Sequence, residues 1–381
     1  MKTGTITFHA PNNNGSFLQA YALQTVLQSQ LGIENEIIDF YSEKQIRQYS
    51  VFRKPKSWGD VGRNLISLMH YNGLKSRYRR FNQMRKKFLT LSQGCATEKE
   101  VYEVANAYDT IICGSDQIWN TEARDYSDVY FMPDVKKKKI SYAASFGSNI
   151  ESIDKITVKK NLLGFEYVSV REKAGRDFIK KLLPDERVEF VCDPTLLLEK
   201  NAYSILLNKE NIEGSYIFLY TINYSKEILQ IAQKLSQEMQ IPVYAPFTGY
   251  SCVKCRKYGI KILYDVGPAE FLWLIENATC TCSNSFHGIA FSVIFEKQFC
   301  RPVSLNKDGT LAADDRIDNL LNQLNLNERT VSYNSADSEL MQKKIDYFMV
   351  KEKLDKIRSD GICYLKTALL GEGESECSTR F

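Results

Sequence analysis

The sequence predicts an α/β protein made of two doubly wound, Rossmann-like domains that face a cleft. Three observations carry this prediction. Short runs typical of β-strands alternate with helical stretches along most of the chain, and the alternation starts again after about residue 205. The length of 381 residues suits two domains of ordinary size.

The first half alternates strands and helices around one insertion. A strand over 3–8, a helix over 16–31 and a strand over 36–40 form a β-loop-α-β unit, which is the building block of a parallel sheet. Further strands are predicted over 109–113, 140–145, 167–170 and 188–192, with a helix over 172–181.

The second half repeats this pattern. Strands are predicted over 216–221, 242–245, 261–263, 278–282 and 299–305, and helices over 226–238, 268–277, 286–295 and 338–370. We therefore expect an N-terminal domain over 1–205 with a basic insertion at about 46–105, a C-terminal domain over 206–335, and a helix with a polar tail over 336–381. Ligands of parallel sheets bind at the carboxyl ends of strands, so the loops that follow strands should carry the chemistry.

The insertion is the strongest charge signal in the sequence. The whole chain has a formal charge of +4, whereas residues 47–87 hold twelve Lys and Arg and one acidic residue, Asp60. Such a segment suits an anionic membrane surface, a phosphorylated acceptor or nucleic acid. A solvated helical insertion is an equally simple interpretation.

Composition excludes several classes of protein. Apolar residues make up 44% and charged residues 25%, which rules out disordered and collagen-like chains. No apolar stretch approaches the roughly 20 residues of a spanning helix, and residues 1–9 resemble a strand rather than a signal peptide, so we expect a cytoplasmic protein. The P-loop, GxSxG and HExxH motifs do not occur, and no GxGxxG follows the first strand.

The ten cysteines include a CxxC pair, Cys252 and Cys255, and a CxC pair, Cys280 and Cys282. A zinc site would need a second close pair in a loop or knuckle. Because Cys280 and Cys282 fall in a predicted strand instead, we expect free buried thiols rather than a metal site.

One histidine follows a predicted strand directly. Within residues 279–288, the predicted strand is followed by Ser and Asn residues that are expected to cap a helix. His287 lies in the first turn of this helix. Helix starts attract anions through their N–H groups and dipole. Lys307 follows the next strand and would emerge at the same edge of a parallel sheet. A structural histidine and a plain surface lysine are the alternatives.

Two strand ends in the first half also carry polar residues. Arg171 stands where a strand becomes a helix and suits a bidentate contact with carboxylate or phosphate, or an ion pair with Glu172 or another neighbour. Gly114-Ser115-Asp116 offers short polar groups that suit sugar hydroxyls, or forms a capped turn closed by Trp119.

Seven motifs in order resemble the polysaccharide pyruvyl transferase family, and they span roughly residues 1–325. They are Ile6-Thr7-Phe8-His9, Asn13-Asn14-Gly15-Ser16 with the residues to Gln24, Gly114-Ser115-Asp116-Gln117-Ile118-Trp119-Asn120, Ser141-Tyr142-Ala143-Ala144-Ser145-Phe146-Gly147, Val168-Ser169-Val170-Arg171-Glu172, Asp193-Pro194-Thr195, and Ser285-Phe286-His287-Gly288. Two departures stand out: Asn14 replaces a tyrosine frequent in the family, and Lys307 lacks the usual Tyr-Asp-Pro-Lys setting.

The resemblance implies a fold similar to the two-domain glycosyltransferases of the GT-B type. It implies transfer of a pyruvyl group from phosphoenolpyruvate to a sugar of a cell-surface polysaccharide, such as a capsule or exopolysaccharide, or of its lipid-linked precursor. A cyclic ketal forms and phosphate leaves. No metal or organic cofactor is required.

The resemblance also implies residue roles. His287 would be the general acid/base that protonates C3 of the donor, while Arg171 and Lys307 would hold the anionic groups of the donor. The substrates would be lined by Asn13, Gly15, Gly114, Ser115, Asp116, Ser145 and Ser285.

Two other functions are compatible with the sequence. One is a GT-B glycosyltransferase with a nucleotide-sugar donor, although no acidic partner for a ribose stands in a persuasive place. The other is a glycan- or polyanion-binding module led by the basic segment. If the acceptor is linked to polyprenyl diphosphate, that segment would give peripheral contact with the inner face of the membrane; no nucleic-acid partner is expected.

Overall fold

The computed structural model describes residues 1–123, 125–147, 149–210, 212–221, 224–247, 250–304 and 312–371, with the backbone alone for 250–253. The chain divides into two compact units. Unit 1 comprises Met1–Ser50, Arg85–Leu198 and the chain from Glu352 onward, and unit 2 comprises Val51–Met84 and Glu199–Lys351.

The described strands of unit 1 all run parallel. They are β1 (Lys2–Ile6), β2 (Glu34–Ile37), β3 (Thr110–Cys113), β4 (Lys138–Ser141), β5 (Val168–Val170) and β6 (Val188–Phe190). The order is β2-β1-β3-β4, and single parallel bridges from Ile140 to Tyr167 and from Ala144 to Val170 connect the pair β5-β6 to β4. The direction of winding reverses between β1 and β3, as in flavodoxin-like sheets.

The described strands of unit 2 form one parallel sheet. They are β7 (Ile217–Tyr220), β8 (Val243–Pro246), β9 (Lys261–Leu263), β10 (Cys280–Ser283), β11 (Gln298–Pro302) and β12 (Thr330–Val331). The order β12-β11-β10-β7-β8-β9 is that of a Rossmann sheet, with its reversal between β7 and β10.

Helices connect these strands, as parallel pairing requires. In chain order they are α1 (Asn14–Thr25), α2 (Glu43–Tyr49), α3 (Trp58–Met69), α4 (Tyr71–Phe88), α5 (Glu98–Ala105), α6 (Lys155–Leu162), α7 (Lys173–Leu182), α8 (Lys200–Ser204), α9 (Lys226–Met239), α10 (Pro268–Asn277), α11 (Phe286–Ile294), α12 (Asp315–Leu324), α13 (Ser338–Gln342) and α14 (Tyr347–Leu370). A π-helical turn, Val26–Gln30, continues α1. The predicted α/β class with parallel sheets is therefore confirmed.

The division of the chain differs from the predicted one at the insertion. Residues 51–84 belong to unit 2 rather than to an N-terminal domain, and unit 1 gives way to unit 2 after Leu198. The physical reason is a set of contacts on α4. Arg80 lies 2.8 Å from Glu210, 3.1 Å from Asp265 and 3.4 Å from Glu270, all in unit 2.

The C-terminal helix also departs from the expectation of a separate segment. From Glu352 onward α14 belongs to unit 1. The Tyr364 hydroxyl donates a hydrogen bond of 2.8 Å to the carbonyl oxygen of Ser141, and Arg358 Nε donates one of 2.9 Å to that of Leu196. These contacts join residues far apart in sequence, which is why a local pattern did not predict them.

Cys280 and Cys282 are buried free thiols, as expected, and Cys255 is buried as well. The side chain of Cys252 lies outside the described residues. Within the described ranges, no helix is both long and apolar enough to cross a membrane.

Candidate functional site

The reversal of strand order in unit 2 places the loops after β7 and β10 side by side, where open parallel sheets bind ligands. Polar side chains tie these loops together. Thr221 Oγ1 donates a hydrogen bond of 2.8 Å to Asn284 Oδ1. Ser283 Oγ donates one of 2.6 Å to the carbonyl oxygen of Tyr220 and accepts one of 3.1 Å from the N–H of Ser285.

His287 is the second residue of α11 and is partly exposed at this edge. Its ring packs edge-on against Phe286, with 5.3 Å between the ring centroids. Ser285 occupies the N-cap position, but its side chain makes no capping hydrogen bond, contrary to the expected Ser/Asn cap. The helix start is shaped instead by the hydroxyl of Ser283, which holds the N–H of Ser285.

Gly288 lets α11 lie unusually close to β10. A Cβ atom at this position would sit 2.1 Å from Ser283 Oγ and 3.0 Å from Tyr220 Cδ1. Any larger residue would push the helix away from the strand, because both neighbours are held in the sheet edge. The glycine therefore sets the height of His287 above the sheet.

In unit 1 the reversal between β1 and β3 brings a second pair of loops together. Gln19 on α1 connects them. Its Nε2 donates hydrogen bonds of 2.9 Å to Thr7 Oγ1 and to the carbonyl oxygen of Phe8, while its Oε1 accepts one of 3.3 Å from the N–H of Ser115. Ser115 is fully buried, and its hydroxyl donates a 2.8 Å bond to the carbonyl oxygen of Ala143, so this predicted site residue supports the loop.

Asp116 directs its carboxylate toward the start of α1. Its Oδ2 accepts a hydrogen bond of 2.7 Å from Ser16 Oγ, and its Oδ1 accepts one of 2.8 Å from the N–H of Gln117. Its backbone is left-handed, with φ of 70°, a conformation that residues with a side chain adopt only where the surroundings hold them in it. The loop thus fixes this carboxylate in place.

Arg171 lies among three carboxylates. Its Nη1 donates a hydrogen bond of 2.5 Å to Asp193 Oδ2, Nη2 lies 4.0 Å from Asp116 Oδ1, and Nε lies 4.0 Å from Glu172 Oε1. Only 2% of its side chain is exposed. The structure contains an ion pair of Arg171, and its main partner is Asp193 rather than the adjacent Glu172.

The electrostatics of this cluster follow from its composition. Burial would lower the pKa of Arg171, but the carboxylates of Asp193, Glu172 and Asp116 outweigh burial and raise the pKa above its usual value. The guanidinium therefore stays charged. With one positive group among three acidic groups, the cluster favours hydroxyl donors over anions.

Ser145 extends the same cluster. Its hydroxyl donates a hydrogen bond to Glu172 Oε1 and accepts one of 3.1 Å from the N–H of Gly147. Asp116, Ser145 and Arg171, which the sequence predicted as separate site residues, thus belong to one cluster joined by ion pairs and hydrogen bonds.

The remaining residues predicted as site residues are Asn13, Gly15, Gly114 and Lys307. Asn13 is exposed and caps α1, where its Oδ1 accepts a hydrogen bond of 2.9 Å from the N–H of Gly15. Gly114 has a φ of 129°, and a Cβ there would lie 2.2 Å from the carbonyl oxygen of Tyr142, so only glycine fits. Lys307 lies outside the described residues.

Ser16, Glu172 and Asp193 were not predicted as site residues, although they stand in the motif segments. Asp193 Oδ1 also accepts hydrogen bonds from the N–H and hydroxyl of Thr195, at 3.0 and 2.7 Å. The sequence Asp193-Pro194 was the available signal, since a buried aspartate before proline typically caps a turn.

A buried histidine–aspartate pair next to the β1 loop was also missed. His9 is fully buried, with Nε2 2.9 Å from Asp39 Oδ1 and Nδ1 3.2 Å from the carbonyl oxygen of Thr7. The hydrogen bond from His9 lowers the pKa of Asp39; burial opposes this shift, while the charges of His9 and Arg85 add to it. The pair joins the loop after β1 to the loop after β2.

Two kinds of chemistry are available in these groups. The carboxylates of unit 1 can accept hydrogen bonds from hydroxyls, and the imidazole of unit 2 can transfer protons at a helix start that favours anions. Among the residues whose placement is described, no group of three His, Cys, Asp or Glu is arranged to hold a metal ion.

Comparison with solved structures identifies the fold. A UDP-co-structure of Staphylococcus aureus MnaA has a TM-score of 0.54 at 9% identity over 97% of each chain. A putative UDP-N-acetylglucosamine 2-epimerase of Listeria monocytogenes has a TM-score of 0.53 at 9% identity over 98% of each chain. The UDP-GlcNAc 2-epimerase of Methanocaldococcus jannaschii has a TM-score of 0.50 at 13% identity, over 94% of this chain and 91% of that one. The fold is of the GT-B type.

Sequence comparison identifies the family. The curated proteins contain no match to this chain. The family model named polysaccharide pyruvyl transferase matches residues 13–304, which is the bulk of the chain and includes β7, β10 and the start of α11. The chain therefore belongs to the polysaccharide pyruvyl transferase family.

Proposed function

We propose that this protein transfers the pyruvyl group of phosphoenolpyruvate to hydroxyls of a sugar in a cell-surface polysaccharide or its lipid-linked precursor. The observation that carries the proposal is the position of His287. It stands in the first turn of α11, at the reversal of a Rossmann sheet, within the segment that matches the family.

His287 acts as the general acid/base. It delivers a proton to C3 of phosphoenolpyruvate, which makes C2 electrophilic. A sugar hydroxyl adds at C2 and returns its proton to His287, and a second hydroxyl closes the ketal as the C–O bond to phosphate breaks. The phosphate takes up the remaining proton, so the overall step consumes one diol and one donor and releases one phosphate.

The phosphate and the carboxylate of phosphoenolpyruvate need cations and N–H donors to bind them. The start of α11 supplies a favourable dipole, and Lys307 is our candidate for the cation. Ser285 lies at the same turn and supports this site.

The Asp116 cluster of unit 1 suits the acceptor better than the donor. Its three carboxylates would repel a phosphate and a carboxylate, whereas sugar hydroxyls are natural donors to the carboxylate of Asp116. We therefore assign Arg171 a positioning role: it holds Asp116 and Asp193 in place rather than gripping the phosphate, which departs from the role that the resemblance implied.

The test is an incubation with phosphoenolpyruvate and a panel of glycan acceptors, with phosphate release and the pyruvyl mass increment as readouts. His287→Ala should slow phosphate release by about 10²–10⁴-fold, the usual contribution of a positioned proton transfer. His70→Ala is the matched control, because His70 caps the end of α3 and stacks on Tyr264 rather than standing in the first turn of α11. Release by His287→Ala within about threefold of the unaltered protein would remove His287 from this role.

A nucleotide-sugar donor is the second candidate, since a protein of similar fold is described in a co-structure with UDP. Thermal shift separates the two donors. Stabilisation by phosphoenolpyruvate and none by UDP-sugars supports the pyruvyl transferase, and the opposite result supports a glycosyltransferase.

A further inference from the structure

Helix α3 exposes apolar side chains to solvent. The exposed fractions are 89% for Trp58, 59% for Leu65, 65% for Leu68 and 71% for Met69, with Val61 at 37%. Their spacing of three, four, three and one residues places them on one face of the helix. This stripe, which we call the α3 apolar face, comprises these five residues.

The opposite face of α3 is polar and packs inward. Asn64 Nδ2 donates a hydrogen bond of 2.8 Å to the carbonyl oxygen of Arg53, and Asn64 Oδ1 accepts one of 3.0 Å from the N–H of Arg53. Ser67 is fully buried and its hydroxyl donates a 2.8 Å bond to the carbonyl oxygen of Val51. The helix is therefore inverted relative to a surface helix of a globular protein, which buries its apolar face.

A helix with its apolar face outward needs a partner molecule or a membrane to cover that face, because water does not solvate a contiguous apolar stripe favourably. The charge around α3 indicates what covers this face. Residues 51–84 hold eight Lys and Arg against one acidic residue, and Lys54, Lys56 and Lys75 are exposed. A bilayer with anionic lipids offers both an apolar interior and negative headgroups.

We propose that α3 lies in the interface of an anionic membrane and inserts the α3 apolar face below the headgroups. Trp58, at the start of the helix, takes the headgroup level that indoles prefer, while Leu65, Leu68 and Met69 reach the acyl boundary. The basic side chains of the segment contact the anionic headgroups. This surface binds lipid whether or not the proposed reaction is correct, because no substrate takes part.

The experiment is flotation of the full chain with vesicles of phosphatidylcholine alone or with about one third phosphatidylglycerol, at low and at high salt. We expect binding to the anionic vesicles and a blue shift of tryptophan emission that the variant Trp58→Phe lacks. The double variant Leu65→Gln/Leu68→Gln should bind at least about tenfold more weakly, since it removes two apolar anchors without changing charge. The matched control is Ile156→Gln/Leu163→Gln, which alters side chains that are 82% and 67% exposed at the start of α6 and at its C-cap.

Three results would overturn the proposal. The first is no binding to anionic vesicles at low salt. The second is binding that the Leu65→Gln/Leu68→Gln variant retains in full, which would make the contact purely electrostatic. The third is a lipid-independent dimer, seen by sedimentation, that this double variant abolishes while vesicle binding persists, because a second copy would then cover the face.

Discussion

Breaking the buried ion pair between Arg171 and Asp193 should strongly destabilise unit 1, because it leaves buried charge uncompensated. Their side chains are 2% and 0% exposed, and the Nη1–Oδ2 distance is 2.5 Å. Replacing Arg171 with Met removes the positive charge but keeps most of the volume. Asp193, Glu172 and Asp116 are then left without their common cation, and we expect a loss of about 3–5 kcal/mol in the free energy of unfolding.

A second arginine provides the matched control. Arg187 lies 2.9 Å from Glu189, but these side chains are 72% and 44% exposed. Solvent screens such a pair, so Arg187→Met should lower the free energy of unfolding by no more than about 1 kcal/mol. The two substitutions are chemically identical, and both lie within unit 1.

Urea unfolding followed by tryptophan fluorescence measures both changes. Trp119 reports on unit 1, since it is fully buried and stacks on Phe131 with 5.0 Å between the rings. Trp58→Phe and Trp273→Phe form the common background that isolates this signal. If Arg171→Met lowered the free energy of unfolding no more than Arg187→Met does, the assignment of Arg171 to a buried carboxylate cluster would be refuted.

Two further predictions concern the strand ends. Gly288→Ala should lower the free energy of unfolding by roughly 1–3 kcal/mol, because the new Cβ clashes with Ser283. In the control, Gly62→Ala, no heavy atom lies near the new Cβ, so the free energy of unfolding should rise by about 0.5–1 kcal/mol. Equal effects of the two substitutions in urea unfolding would contradict the close approach of α11 to β10. The lowered pKa of Asp39 means that its hydrogen bond from His9 stabilises the fold above the usual aspartate pKa of about 3.9 and is lost as pH falls through the lower folded value. Asp39→Asn should therefore flatten the decline of the urea midpoint below about pH 4, and an unchanged decline would refute this origin.

Local sequence patterns determined many of the helices and strands and the position of His287 after a strand. The predicted strand over 261–263 and helix over 268–277 match the structure residue for residue. The placement of His287 in the first turn of a helix after a strand was also correct. Periodicity and turn residues act over a few neighbours, so a single segment contains enough information to predict them.

The partners of charged residues depended on the tertiary structure. Arg171 pairs with Asp193, 22 residues away, and not chiefly with its neighbour Glu172. Because the partner of a charge depends on which strand ends meet in the sheet, and the sequence does not state the strand order, the ion pair and the ligand contact were equally plausible beforehand.

The sequence by itself determined that this chain forms parallel α/β sheets, that it belongs with pyruvyl transferases, and that a basic segment interrupts its first half. Only the tertiary structure decided that residues 51–84 of the basic segment belong to unit 2, that α14 ends in unit 1, and that α3 turns its polar side inward. The amphipathic pattern of α3 is identical whichever face is buried. The orientation is set by long-range contacts, and those are a property of the folded chain alone.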